Sequence, residues 1–324
     1  MATTRARPTT SAPTTRPVRG AARSVGARLW ADRWIYLFLL PMAALYGLFT
    51  LWPIIASSWY SLLDWNGFAR ARPFVGLANY ADVLRDPFFW NAFRNTLLFM
   101  AVTVPIRVGL SLLAAVILNN PRLPFAGLFR TALFLPVVTT TAIIGVVMVL
   151  VFDPAGGPIN LVLLKLHLVG RPINFLGKSQ SALFTVMGVH IWKWFGVTLV
   201  YWLAALQTIP KDLYEAARID GASGWRLFRH ITAPLLRPFA VIITLLTAID
   251  TLQVFDLMLT MTGGGPFFRT EVVEIFIYRQ AFTSTTPRLG YASAAAVVFG
   301  AATLLIALVQ ALGLRYVQRT RGTT

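Results

Sequence analysis

Cysteine is absent from the 324 residues, which excludes disulfides, thiolate metal sites and a cysteine nucleophile. Histidine is nearly absent. His167, His190 and His230 stand far apart, with no spacing that gathers them around a metal ion. Acids are few, twelve Asp and Glu against 29 Lys and Arg. Charged residues together make up only 13% of the chain, where a soluble domain carries about a quarter. The paired catalytic groups near an interface that a membrane enzyme needs are missing. So is a phosphate loop of the form G-x-x-x-x-G-K-[ST], which leaves the chain without ATP-hydrolysing machinery of its own. No internal repeat is evident, and the inverted symmetry of many secondary transporters finds no support.

What fills the chain is apolar: 56% of its residues are hydrophobic. Six stretches reach the roughly 20 residues that a bilayer-crossing helix needs: 34–60, 96–118, 128–152, 182–206, 239–261 and 291–314. The strict alternation of a membrane barrel is missing, so these spans read as helices. The fold class is therefore an all-α integral membrane protein with six transmembrane helices. Pro41, Pro53, Pro105 and Pro136 fall inside spans and predict kinks.

Seventeen basic residues lie on the side that holds both termini and ten on the other. By the positive-inside rule both termini are cytoplasmic, and the connections 61–95, 153–181 and 262–290 lie outside. A formal charge of +17 would suggest nucleic acid in a soluble protein. Here the bilayer's anionic headgroups are the simpler partner, and nucleic acid is not expected. Residues 1–33, with seven arginines and the single acid Asp32, read as a disordered basic cytoplasmic tail. Such an Arg-rich start also resembles an organelle transit peptide, but the rest of the chain reads as bacterial. Residues 34–315 form the transmembrane domain and 316–324 a short cytoplasmic tail.

Between spans four and five, at about 209–238, lies a polar block containing EAARIDGASGWRLFRHITAPLLRP. Locally it reads as two short helices joined at a glycine. The first starts after Pro210; Gly221 stops it by tolerating positive φ. Ser223 is placed to cap the second, and Pro234 and Pro238 to end it before span five. One reading is a basic loop that merely obeys the orientation rule. The other is a docking helix pair, because Ala216 and Ala217 beside Glu215 allow close approach and Trp225 and Phe228 call for a partner surface.

The residues Glu215, Ala216, Ala217, Gly221, Ile231 and Pro234, at this spacing, resemble the cytoplasmic EAA loop of permease subunits of binding-protein-dependent ABC importers. Ala233 departs from the pattern, which usually has leucine there. FVGLANYADVLRDPFFWNAFRNTLLF (74–99), MTGGGPFFRTEVVEIFIYRQAF (261–282) and LGYASAAAVVF near the end are similar to the carbohydrate branch, of maltose, trehalose and glycerol-phosphate type. The resemblance implies a permease subunit, not an enzyme, in the bacterial cytoplasmic (inner) membrane. It implies a second homologous permease, two ATPase subunits that bind the ATP and magnesium, and an extracytoplasmic sugar-binding protein. This chain itself would bind no cofactor and no metal. The substrate would be a sugar, a disaccharide or oligosaccharide, and Glu215, Ala216, Ala217, Asp220, Gly221, Trp225, Phe228, Ile231 and Pro234 would couple the permease to its ATPase. The competing function is an ion-coupled secondary transporter, for which the spans offer only scattered acids.

Inside the spans, ionisable groups are costly and point to a water-filled path or the bundle interior. Arg107, Lys193, Asp250 and Asp256 are the examples, with Asp256 near an interface. His190, Trp192, Lys193, Trp194 and Asp250 offer polar and aromatic groups suited to a sugar's hydroxyls and C–H faces. They equally fit an interfacial belt, or an ion pair between Lys193 and Asp250. Outside, Gly263, Gly264, Gly265 and Pro266 form a tight turn that is also a candidate contact for the binding protein.

Overall fold

The computed structural model describes residues 33–120 and 123–319, with side chains described as far as Leu312. Most of the expected N-terminal tail and the end of the C-terminal one lie outside the described residues. The chain divides into two compact units, 1–55 and 56–324. The first contributes most of helix α1 (Arg33–Tyr60), whose π-helical turn Gly47–Leu51 precedes Pro53.

The second unit is helical, and the only β feature among its described residues is the isolated bridge between Leu63 and Phe74. In order it holds α2 (Ala78–Arg85), α3 (Pro87–Leu118), α4 (Ala126–Val138), α5 (Thr141–Val151), α6 (Pro158–Lys165) and α7 (Ala182–Gln207). Next come α8 (Lys211–Ile219), α9 (Trp225–Thr251), α10 (Phe255–Met261), α11 (Val273–Tyr278) and α12 (Leu289–Arg319).

Helix α3 explains how such a chain packs. Its buried residues include Ala92, Asn95, Thr96, Phe99, Thr103, Arg107, Ser111 and Ala115, one helical stripe, whereas Leu98, Ile106, Leu110, Leu113 and Ile117 are exposed. Within the span the polar side chains Asn95, Thr96, Thr103, Arg107 and Ser111 lie inside beside Phe99 and Ala115, while large aliphatic ones face outward, the reverse of a helix in water. The buried hydroxyls are satisfied locally: Thr96 donates to Ala92 O, Thr103 to Phe99 O and Ser111 to Arg107 O. Side by side with α3 runs α7, in the same direction, and α9 returns against both. Ala115, Leu118, Leu199, Trp202, Leu206, Leu236 and Ile243 of these three helices share one apolar cluster.

Three expectations need correction. The third span is not one helix, because α4 and α5 meet at a bend of 100°. Pro136 removes a backbone donor, and Thr139 and Thr140 are extended, with ψ 140 and 134. At 1.5 Å per residue neither piece reaches the roughly 30 Å of a bilayer core. The fifth span does not run to Met261. It ends at Thr251, and α10 is a separate helix. Nor do Pro234 and Pro238 end the second helix of the polar block; that helix continues into the span as α9. A π-helical turn, Phe228–Thr232, makes this possible. Ala233 N–H reaches back to Phe228 O, and Pro234 then falls in the first turn of the regular stretch, where a missing N–H costs least.

Candidate functional site

The polar stripe of α3 meets its partners at Arg107. Its guanidinium is buried, at 2% exposure, and forms an ion pair of 2.9 Å with Asp250, whose side chain is 37% exposed. Arg107 Nε donates to Thr198 Oγ1 at 3.0 Å, and Arg107 Nη1 lies 3.3 Å from His190 Nε2. A guanidinium can only donate, so His190 Nε2 is the acceptor in this contact. The ring of Phe99 meets His190 edge-on at 5.2 Å. One side chain thus fastens α3 to α7 and to the end of α9.

Lys193 takes no part in that network. Its ammonium donates to Thr139 O at 2.9 Å and Pro136 O at 3.5 Å, and lies 4.4 Å from the Trp194 ring. The expected alternative of a Lys193–Asp250 pair is therefore replaced by Arg107–Asp250. Lys193 instead caps the carbonyls that the break after α4 exposes, a cation at a helix C-terminus. Close approach makes this reach possible: a side-chain carbon at Gly196 would lie 2.6 Å from Leu133 O and Phe134 Cα. Trp192 is 45% exposed and joins neither group. Arg107 stood out only as a costly charge, and Thr198 not at all. The stripe of polar residues four apart on α3 is the signal that would have singled out Arg107; nothing in the sequence marks Thr198.

The polar block forms a compact pair of helices. After α8 the chain closes with Ala222 N–H to Ala217 O at 2.9 Å and Gly221 N–H to Arg218 O at 3.1 Å, and Gly221 has φ +79. This is the C-terminal closure that glycine permits. The capping role expected of Ser223 is not seen: Gly224 occupies the N-cap position without a side-chain bond. Tyr214 and Thr232 hydroxyls, 2.9 Å apart, tie α8 to α9. Glu215, Ala216, Asp220 and Gly221 are exposed, whereas Ala217, Phe228, Ile231 and Pro234 are half-buried. Trp225 is 68% exposed and stacks on Phe228 at 5.2 Å, and Ile219 at the end of α8 is 87% exposed. The result is an apolar patch on a charged loop.

At the other end, the loop after α10 is tied down. Gly263 and Gly264 have φ of 57 and 88, and Thr270 Oγ1 donates to Gly265 O and faces Thr262 Oγ1. Gly264 is buried, so it presents no surface, and the exposed tip is Phe267. Asn91 donates to Phe268 O at 2.8 Å and Asn95 to Glu271 O at 3.0 Å. Glu271 is paired with Arg279 at 2.7 Å; burial raises its carboxyl above the ordinary range.

Burial pushes the Glu274 carboxyl up to about 7, partly opposed by the backbone N–H groups of Phe255 and Val254. The folded state thus binds this proton more tightly than the unfolded one. The stabilisation is complete below the ordinary value of 4.5 and is lost as pH rises through about 7. The melting temperature of the purified protein is expected to fall between pH 5 and 7.5. Glu274→Gln should flatten that slope, which is worth up to about 3 kcal/mol; an unchanged slope in the variant would assign it to other groups.

Residues 108–321 match the family model described as binding-protein-dependent transport system inner membrane component. The lactose transport system permease protein LacF of Rhizobium radiobacter is 36% identical over 260 residues, 80% of this chain and 86% of that one. The trehalose/maltose transport system permease protein MalF of Thermococcus litoralis is 37% identical over 243 residues, 75% and 81% of the two chains. Among solved structures, a chain of a bacterial ABC transporter that imports the acidic polysaccharide alginate superposes with a TM-score of 0.78. It is 22% identical and covered over 97% of its length, with 89% of this chain. The chain with the Arg107 network and the tied helix pair belongs to the family of binding-protein-dependent transport system inner membrane components.

Proposed function

We propose that the chain is the permease subunit of an ATP-driven importer for a disaccharide or oligosaccharide in the bacterial cytoplasmic membrane, with both termini cytoplasmic. A second permease completes the membrane path, two ATPase subunits carry ATP and magnesium, and an extracytoplasmic binding protein delivers the sugar. The relatives' names, lactose and trehalose/maltose permeases, support the substrate class. The carrying observation is α9. One helix begins in the exposed Trp225–Phe228 patch and reaches Asp250 in the bundle. At 1.5 Å per residue these ends are almost 40 Å apart. A tilt imposed on the patch by an ATPase therefore moves Asp250 against Arg107 without an intervening joint other than the π-helical turn. Glu215 supplies the anchoring charge, and Ala216 and Ala217 let the partner backbone approach. The chain's contribution is mechanical, with Lys193 and Trp194 beside the path and the loop from Gly263 to Pro266 towards the binding protein.

Gly221→Val tests this reading. A carbon added at Gly221 meets nothing within 4 Å, so the penalty is backbone strain at positive φ, about 1–2 kcal/mol. Recovery of the ATPase in a pull-down is expected to fall about tenfold while the chain still inserts. Gly221→Asn, which tolerates this conformation, should restore much of it. In the same preparation a thiol placed at Arg226 should label only from the cytoplasmic side and one at Ser284 only from outside. Full ATPase recovery with Gly221→Val would reject docking through the loop, and reversed labelling would reject the orientation.

A further inference from the structure

Where α3 and α7 begin, the bundle opens into a cleft of about 300 Å³, bordered by Asn91, Arg94, Asn95, Gln180, Phe184 and Arg269. It lies at the opposite end of α7 from the polar block, a helix of 26 residues away. No acid borders it. Among the described residues neither the Arg94 nor the Arg269 guanidinium has an ion pair. The nearby acids are committed elsewhere: Glu271 to Arg279, and Asp86 to the Tyr291 hydroxyl at 2.6 Å and to Phe88 N–H.

Two like charges facing one cleft repel each other, and an anion between them relieves that cost. Their positions are also set in advance. Phe268, next to Arg269, accepts hydrogen bonds from Asn91 and Asn95, on the same turns of α3 that carry Arg94. Its ring is held between Phe88 at 5.3 Å and the Arg279 guanidinium at 4.8 Å. The backbone that carries Arg269 therefore needs little ordering when a ligand arrives. Guanidinium forks match the planar, multi-oxygen geometry of carboxylate and phosphate. Phe184, 57% exposed, adds a flat apolar face beside them.

We propose that this cleft binds an oxyanion, the carboxylate or phosphate of a small sugar derivative or of a lipid headgroup. The site goes beyond the coupling role of α9 and does not depend on it. The test uses the assembled importer in phosphatidylcholine nanodiscs, otherwise free of reactive thiols, with a fluorophore on Ser179→Cys, which borders the cleft. Glucuronate and glucose 6-phosphate should change the emission with millimolar dissociation constants that weaken with salt, and glucose should not. Arg94→Gln/Arg269→Gln should weaken the response at least tenfold; both side chains are exposed, so an unchanged elution profile verifies the fold. A response to the soluble anions assigns a small-molecule ligand. A response only when phosphatidylglycerol is added, again lost in the double variant, assigns the headgroup. Emission insensitive to both, or a double variant that responds like the wild type, overturns the site. The readout is binding alone, so that failure leaves the coupling reading of α9 standing.

Discussion

Asp250→Ala is expected to destabilise the protein by about 3 kcal/mol and to abolish sugar uptake in proteoliposomes. Breaking a buried ion pair by removing one partner strands the other charge, at a cost of about 3–5 kcal/mol. The lower figure applies because the Asp250 side chain is 37% exposed, whereas Arg107 at 2% has no water to fall back on. Thr198 and His190 would remain near the guanidinium, but neither neutralises it. A second variant separates stability from function. Arg107→Met/Asp250→Leu leaves no stranded charge and should recover most of the lost melting temperature, yet uptake should stay low because α9 is no longer fastened to α3. Wild-type uptake in the double variant would reduce the pair to a structural contact.

Gly196→Val should be similarly severe. The first added carbon already lies 2.6 Å from backbone atoms of Leu133 and Phe134, and backbone cannot rotate aside as a side chain can. Overpacking of this kind costs about 1–3 kcal/mol, and more where nothing yields. Forcing α4 from α7 also pulls Thr139 O away from Lys193, leaving buried carbonyls and an ammonium unsatisfied. The melting temperature and the yield of monodisperse protein should both fall sharply. Gly188→Val is the matching control, since a carbon there meets nothing within 4 Å. Equal behaviour of the two variants would remove the close contact from the account.

The contrast between these two glycines shows how far the sequence could be read. Apolar runs located the long helices because the bilayer demands length and hydrophobicity together, and Gly221 was legible because its φ requirement is local. Gly196 and Gly188 sit in the same apolar run, and only the neighbouring helix distinguishes them. Arg107 and Asp250 are 143 positions apart, and no spacing rule spans that distance. The third span looked continuous because threonine is nearly neutral in hydropathy, so TTT after Pro136 does not interrupt the run. Pro234 and Pro238 misled for a different reason. Proline ends an ordinary helix, and the wider turn before Pro234 is a feature of backbone hydrogen bonding that side-chain identity does not announce.

The break after α4 bears on how the protein is made. Its exposed carbonyls are capped by Lys193, 54 positions later in the chain. During synthesis α4 and α5 leave the ribosome and meet the insertion machinery before that lysine exists. Carbonyls without a cap are costly in hydrocarbon, so the bend at Thr139 and Thr140 is expected to be stable only once α7 has arrived.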